Sequence, residues 1–397
     1  MRKLTADYIF PLNRSPVKNG ILIIDDYGSI IDLLPNEEKE SMTEDIEVFN
    51  GFLCPGFVNS HCHLELSHLK NLIPPHVGLD NFIASLEQLK ATSNYDDILS
   101  GMESAEAEMI KNGIVAVGDI SNSSDSFRIK ETSKLVYHSF IEIYGSNPEQ
   151  AENIFDSALA LLKKILANKS NNKASIVPHS TYSVSQALFK KIRGFAEENN
   201  SIISIHHQEN EDENLFFFNK TGKIVERMSH FGVDISEFRA SGQRPIESVA
   251  GFLPEASNIQ LVHNTVSVDK DISFAKNNFS KMYFCLCPNA NIYIENKLPD
   301  VKLFFESGAK ITIGTDGAVS NKDLSVLNEL KTISQNYQDI PLNDLLRWAC
   351  LNGANFLDIC DTFGSFEKSK IPGINLIENV DIQNIRLTKE SKIRVLV

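Results

Sequence analysis

Phe52-Leu-Cys-Pro-Gly-Phe-Val-Asn-Ser-His-Cys-His63 is an apolar, strand-like run that ends abruptly in two histidines spaced two apart. In an extended chain the side chains at i and i+2 face the same side, so His61 and His63 point one way and Cys62 the other. A lone His-x-His is a weak signal, as open to a packing role as to metal binding. Its weight depends on whether the rest of the chain repeats the arrangement.

Seven more runs of this kind follow: GIVAVGDIS (113–121), LVYHSFIEIYG (135–145), ASIVPHST (174–181), IISIHHQE (202–209), IQLVHNT (259–265), MYFCLCPNAN (282–291) and AKITIGTDG (309–317). Between them lie segments whose apolar residues recur at three and four, such as AENIFDSALALLKKILAN from Ala151, SQALFKKIRGFAEENN from Ser185 and LNDLLRWACLNGANFLDI from Leu342. Short strands alternating with amphipathic helices predict a parallel sheet with helical crossovers. Eight repeats in a chain of this length predict closure into a (β/α)8 TIM barrel, an α/β fold.

The two ends read differently. LTADYIF (4–10), GILIIDD (20–26), GSIIDLL (28–34) and IEVFNGF (46–52) are strand-like, as are GINLIEN (373–379) and KIRVLV (392–397). Their shared character predicts one small β-sandwich domain made from both ends, residues 1–53 and 362–397, around a barrel over 54–361.

In such barrels the C-terminal ends of the strands converge on one mouth, where active sites lie. Here six runs end in His61 and His63, His179, His206 with Glu209, His263, Asn289 with Asn291, and Asp316. Imidazoles from His61, His63 and His206 with the carboxylate of Asp316 offer the nitrogen and oxygen donors that Zn²⁺ or Fe²⁺ accepts. His206 and His207 are adjacent, so one of them is free for a structural hydrogen bond, and Asp316 in Gly-Thr-Asp-Gly also fits an ordinary turn. His76, His138 and His230 fall outside the pattern and read as structural. His68 lies near enough to the mouth either to touch substrate or to pack. Cys62 is not expected to be a ligand.

Composition excludes other classes. Among 397 residues, 38 basic against 52 acidic side chains give a net charge of −14, with no basic run, which argues against nucleic acid and anionic membranes as partners. Neither a signal-peptide core nor 18 successive apolar residues occur, so a soluble, cytoplasmic protein is expected. Six cysteines without scaffold spacing read as reduced thiols. Oligomeric state is not readable, although a homodimer is the assembly that acidic barrels of this kind often form.

The motifs PGFVNSHCHLELSHL (Pro55 to Leu69), VPHSTYSVS (Val177 to Ser185), SIHHQENEDE (Ser204 to Glu213), LVHNTVSV (Leu261 to Val268), CPNANIYI (Cys287 to Ile294) and GTDGAVSN (Gly314 to Asn321) together resemble the deaminase and chlorohydrolase branch of the amidohydrolase superfamily. The resemblance covers nearly the whole chain. It implies one divalent metal ion, Zn²⁺ first and Fe²⁺ second, on His61, His63, His206 and Asp316. The His-x-x-Glu spacing from His206 to Glu209 favours His206 over His207.

The resemblance also implies catalytic roles. Glu209 would carry a proton to a ring nitrogen and then to the departing amine. Asp316 would accept a proton from the attacking water, and His263, in a tautomer the sequence leaves open, would stabilise the adduct. His179 would contact substrate. The stretch from His61 to Ile83 resembles aminodeoxyfutalosine deaminases and is similar to methylthioadenosine and S-adenosylhomocysteine deaminases, so the expected substrate is a heterocyclic amine, a 6-aminopurine of nucleoside type. Glu65, Asn289 and Asn291 are the expected discriminating contacts. The alternatives are chlorohydrolase or cyclic amidohydrolase chemistry on the same metal, or a non-catalytic barrel serving as a binding module.

Overall fold

In the computed structural model, residues 1–36, 46–167, 172–230, 232–236 and 238–397 are described. The middle of the chain supplies eight parallel strands: β1 (Phe57–Cys62), β2 (Ile114–Ser121), β3 (Val136–Ile143), β4 (Lys173–Pro178), β5 (Ile203–His207), β6 (Ile259–His263), β7 (Met282–Leu286) and β8 (Lys310–Ile313). β1 to β4 pair in sequence order, as do β5 to β8. Parallel bridges at Ser180 with His206 and Cys62 with Asp316 join the two halves, so the sheet closes on itself. Crossover helices such as Tyr95–Lys111, Ala151–Leu166, Gln186–Asn199 and Asp269–Asn278 make the parallel order attainable.

Gln260 lies at the floor of the barrel, fully buried. Gln260 donates through Nε2 to the carbonyl of Ser60 at 3.0 Å and accepts at Oε1 from the Thr312 hydroxyl at 2.8 Å. Below it the Phe356 ring lies 6.0 Å from Phe140 and 5.5 Å from Tyr283. Phe356 ends a segment read from sequence as one continuous helix. The segment is helical without a break over 342–356, but it widens at Trp348–Asn352, between Leu342–Arg347 and Gly353–Phe356. The widening brings backbone against β1, where a Cβ on Gly353 would stand 2.8 Å from the Cβ of Val58.

The first apolar run also divides. Phe52–Pro55 pairs with Ile374–Glu378 near the C-terminus, and only the part after Gly56 enters the barrel. Gly56 donates its amide to the carbonyl of Pro372 at 3.0 Å, and a Cβ there would lie 2.3 Å from Val115 Cγ1. LTADYIF divides as well, into Arg2–Thr5 and Tyr8–Ile9, which belong to different sheets. Between them the carboxylate of Asp7 accepts the amide of Gly51 at 2.7 Å.

One end sheet has the order Ile30–Leu34, Ile21–Ile24, Arg2–Thr5, Glu47–Val48. The other runs Lys392–Val395, Ile374–Glu378, Phe52–Pro55, Tyr8–Ile9, Val17–Lys18, so both chain ends share it. Leu4, Leu22 and Ile24 of the first sheet and Ile9, Leu53 and Leu376 of the second are buried in one apolar cluster separate from the barrel core. Among the described residues no helix is long and apolar enough to cross a membrane. The six cysteines are free thiols, all buried except the partly exposed Cys360.

Candidate active site

At the end of β1 the rings of His61 and His63 lie 4.9 Å apart and nearly perpendicular. The β1 register against β2 shifts between Asn59 and Cys62, an irregularity of the kind that re-aims side chains beside active sites. From β5 the ring of His206 comes within 4.9 Å of His61, and its Nε2 stands 3.3 Å from Nε2 of His63. Asp316, beyond β8, places Oδ1 3.5 Å from Nε2 of His61 and 3.3 Å from Nε2 of His63. Donor atoms from three separate strand ends therefore face one point.

Asp316 reaches this position from a left-handed backbone (φ 56), with its amide donating to the carbonyl of His61 at 3.1 Å. Gly314 allows the close approach: a Cβ there would meet the Cβ of His61 at 2.8 Å and the sulfurs of Cys285 and Cys287 at 2.9 Å.

The group fits a divalent metal ion. His61 is fully buried and neither of its ring nitrogens has a hydrogen-bond partner, a state that is costly unless something else coordinates it. Three imidazoles and a carboxylate form a common zinc donor set. The outer contacts aim these donors: Nδ1 of His206 donates to the carbonyl of His179 at 2.7 Å, which leaves its Nε2 lone pair facing the cluster. The Ser320 hydroxyl donates to Oδ2 of Asp316 at 2.5 Å and leaves Oδ1 free.

The electrostatics suit this arrangement. Burial holds His61 below the ordinary histidine range and His63 at about 4, so both rings are neutral at neutral pH. Burial opposes ionisation of Asp316 too, but the facing ring of His61, 3.5 Å away, and the nearby His63 and His263 keep its carboxyl well below the usual range. Glu209 goes the other way: burial, reinforced by Asp316, pushes its carboxyl well above the glutamate range, so it keeps its proton.

The other sequence-predicted residues divide into those at the cluster and those engaged elsewhere. Glu209 Oε1 is 3.8 Å from Nε2 of His263. His263 has a left-handed backbone (φ 74), and its Nδ1 is 3.2 Å from the amide of Asn291, which also donates to Thr265 Oγ1 at 2.8 Å. Asn291 therefore fixes the ring of His263. The His179 ring lies 4.8 Å from that of His206, with Nδ1 3.1 Å from Ser183 Oγ. His207 takes the structural alternative, its Nδ1 donating to Asn264 Oδ1 at 3.0 Å.

Two expected substrate contacts are otherwise committed. Glu65 accepts the amides of Asn122 and Ser123 at 3.1 Å each and the hydroxyl of Ser126 at 3.1 Å, so its carboxylate ties down the loop after β2. Asn289 accepts from Thr332 Oγ1 at 2.6 Å and faces the helix Val326–Asn336. His68 packs against Ser93 at 2.8 Å and lines a cavity of about 450 Å³ whose walls include no member of the cluster.

Sequence reasoning passed over three residues here: Glu142, Ser320 and Arg227. Glu142 is the next-to-last residue of β3, and the one carboxylate in that strand was the available signal. Ser320 offered none. Arg227 pairs with Asp80 at 2.5 Å, linking the helix Lys223–His230 after β5 to the helix Leu79–Thr92 after β1.

The sequence model of the amidohydrolase family matches residues 52–395, and the chain belongs to that family. It is 25% identical over 370 residues to 5'-deoxyadenosine deaminase of Methanococcus vannielii, covering 88% of this chain and 81% of that protein. It is likewise 25% identical over 396 residues to the 5-methylthioadenosine/S-adenosylhomocysteine deaminase of Saccharophagus degradans, covering 92% and 81%. In fold it resembles the crystal structure of Helicobacter pylori aminofutalosine deaminase in complex with methylthio-coformycin, with a TM-score of 0.80, 20% identity, and 98% and 94% of the two chains covered.

Proposed function

We propose that the protein is a metal-dependent hydrolase that removes the 6-amino group of an adenosine-type nucleoside and releases ammonia. The observation that carries the reading is the pairing, beside the His61, His63, His206 and Asp316 cluster, of Glu209 with His263, 3.8 Å apart. The deaminase names of the relatives at 25% identity support the same reaction class.

A divalent ion on these four residues, Zn²⁺ being favoured by the donor set, would supply a water activated as nucleophile at neutral pH. Asp316, held ionised, takes the proton from that water. Glu209, held neutral, gives its proton to the ring nitrogen beside the amino-bearing carbon, which makes that carbon electrophilic, and later moves a proton to the leaving amine. His263, oriented by Asn291, donates to the oxygen added at that carbon. His179 contacts the substrate from the β4 side. Ammonia departs and the ring keeps a keto oxygen.

The proposal extends to architecture: the two ends of the chain, up to Pro55 and from 362 on, constitute a β-sandwich beside a catalytic barrel that begins after Gly56. The apolar cluster shared by the two end sheets supports it. We also place the enzyme in the cytoplasm, and propose a homodimer as its assembly.

Ammonia release from metal-loaded protein given adenosine, 5'-deoxyadenosine, methylthioadenosine, S-adenosylhomocysteine, aminodeoxyfutalosine, adenine and guanine tests the reaction. Release from at least one nucleoside, abolished in Glu209→Gln, is expected. A folded, metal-loaded protein that releases no ammonia from any of them would refute it.

A further inference from the structure

Glu142 is the carboxylate of the site that the deamination chemistry leaves unused. Alternate residues of a strand share a face, and along β3 three of them form a ladder. Phe140 lies deep, 6.0 Å from Phe356, and Glu142 follows near the cluster. Tyr144, just past the strand, stands 63% exposed at the rim with its ring 6.0 Å from His179.

The two oxygens of Glu142 are treated differently. Oε2 accepts from Nδ2 of Asn122 at 3.0 Å. Oε1 is buried and has no hydrogen-bond partner. Nδ1 of His206 is 3.4 Å from Oε1, but its proton is directed to the carbonyl of His179 at 2.7 Å. A buried carboxylate oxygen without a donor is unfavourable, so it is a place where a ligand's donor is rewarded.

Its position is also fixed in advance. Nδ2 of Asn122 reaches the carbonyl of Glu142 as well, at 3.2 Å, and the amide of Asn122 is held by Glu65, two residues beyond His63. The free oxygen is thereby tied, through Asn122 and Glu65, to the strand that carries two of the ligands. Glu209 and His263 occupy the β5 and β6 side, where the reacting edge of the base must lie. A substrate seated that way would extend toward β3 and β4, the side on which Oε1 lies.

We propose that Glu142 is a specificity-determining residue whose Oε1 accepts hydrogen bonds from the sugar hydroxyls of a nucleoside seated with its base over the cluster. The inference rests on the deaminase reading above. An ionised carboxylate is acceptor-only, so it selects O–H donors, and a vicinal diol presents two. A site built to bond a hydroxyl discriminates strongly against an analogue that lacks it.

The test is steady-state kinetics with the best substrate among adenosine, 5'-deoxyadenosine and methylthioadenosine, its 2'-deoxy and 3'-deoxy forms, and adenine. Wild type, Glu142→Gln and Asn122→Ala are compared, each with bound metal measured directly. In wild type, loss of a hydroxyl should raise KM about 10-fold or more with kcat little changed, as for a hydrogen bond to a charged group. Glu142→Gln should erase most of that discrimination and keep its metal. Asn122→Ala, which leaves the carboxylate in place but unanchored, should weaken it partly.

Equal handling of ribo and deoxy forms by wild type, or adenine deaminated as well as the nucleosides, overturns the inference and leaves the deaminase reading standing. Loss of metal in Glu142→Gln, or an equal penalty on every substrate, also overturns it, because the residue would then act by positioning His206. If no purine at all releases ammonia, the deaminase reading has failed and this inference falls with it.

Discussion

Glu142 lies beside His206 and Glu209 beside His263 at the same cluster, and burial raises the cost of ionising both. Around Glu142 the imidazoles of His179, His206 and His63 outweigh burial and hold the carboxyl at about 2. Around Glu209 the strongest charge is that of Asp316, which adds to burial and pushes the carboxyl well above the glutamate range. Two carboxylates in one site thus receive opposite protonation states from their neighbours, one suited to accepting hydrogen bonds and the other to carrying a proton.

The largest effect tests the cluster that both sides share. His206→Ala should lose stoichiometric metal and turnover together, and a variant that keeps its ion would remove His206 from the ligand set. The next separates the two carboxylates. Glu209→Gln should lower kcat below detection with metal content unchanged, a loss of at least about 10²- to 10⁴-fold being expected for a missing general acid–base. If KM rose and kcat did not, the division of labour between Glu142 and Glu209 would be wrong.

Ser320→Ala removes the hydroxyl that orients Asp316 and should weaken metal affinity about 10- to 100-fold, measured by competition with a chelator. Unchanged affinity would make that contact incidental.

The smallest effect is on stability. Burial pushes the Glu213 carboxyl up to about 8, against the opposing hydrogen bond from Thr181. The folded state therefore holds this proton more tightly than the unfolded chain does. That contribution to stability is complete below the ordinary glutamate range and is lost as pH rises toward about 8. The thermal midpoint of wild type should therefore fall relative to that of Glu213→Gln between about pH 5 and about pH 8. A difference between the two that does not change with pH would show that Glu213 is not held neutral.

What was legible in the sequence follows the same physical division. Strand ends were readable because a short apolar run that stops at a polar residue is a local signal, and His61, His63, His179, His206, His263 and Asp316 all lie at such stops. The choice between His206 and His207 needed the family spacing, since the Asn264 contact that engages His207 comes from 57 residues away.

The contacts that engage Glu65 and Asn289 were not legible because their partners, Asn122 to Ser126 and Thr332, lie 57 to 61 and 43 residues off, beyond any local pattern. The division of the first run at Gly56 escaped notice for a similar reason: its cause is the carbonyl of Pro372 at the far end of the chain. Glu142 was hidden by its surroundings, since the run around it reads as core.

Turnover in ¹⁸O-labelled water, with ammonia and the base product quantified together, tests the central claim most directly. The account predicts one solvent oxygen in the product for each ammonia released by metal-loaded wild type from its best adenosine-type nucleoside, and neither from Glu209→Gln. Release of chloride from a chlorinated ring, or of a carboxylate from a cyclic amide, with no ammonia from any nucleoside, would contradict it.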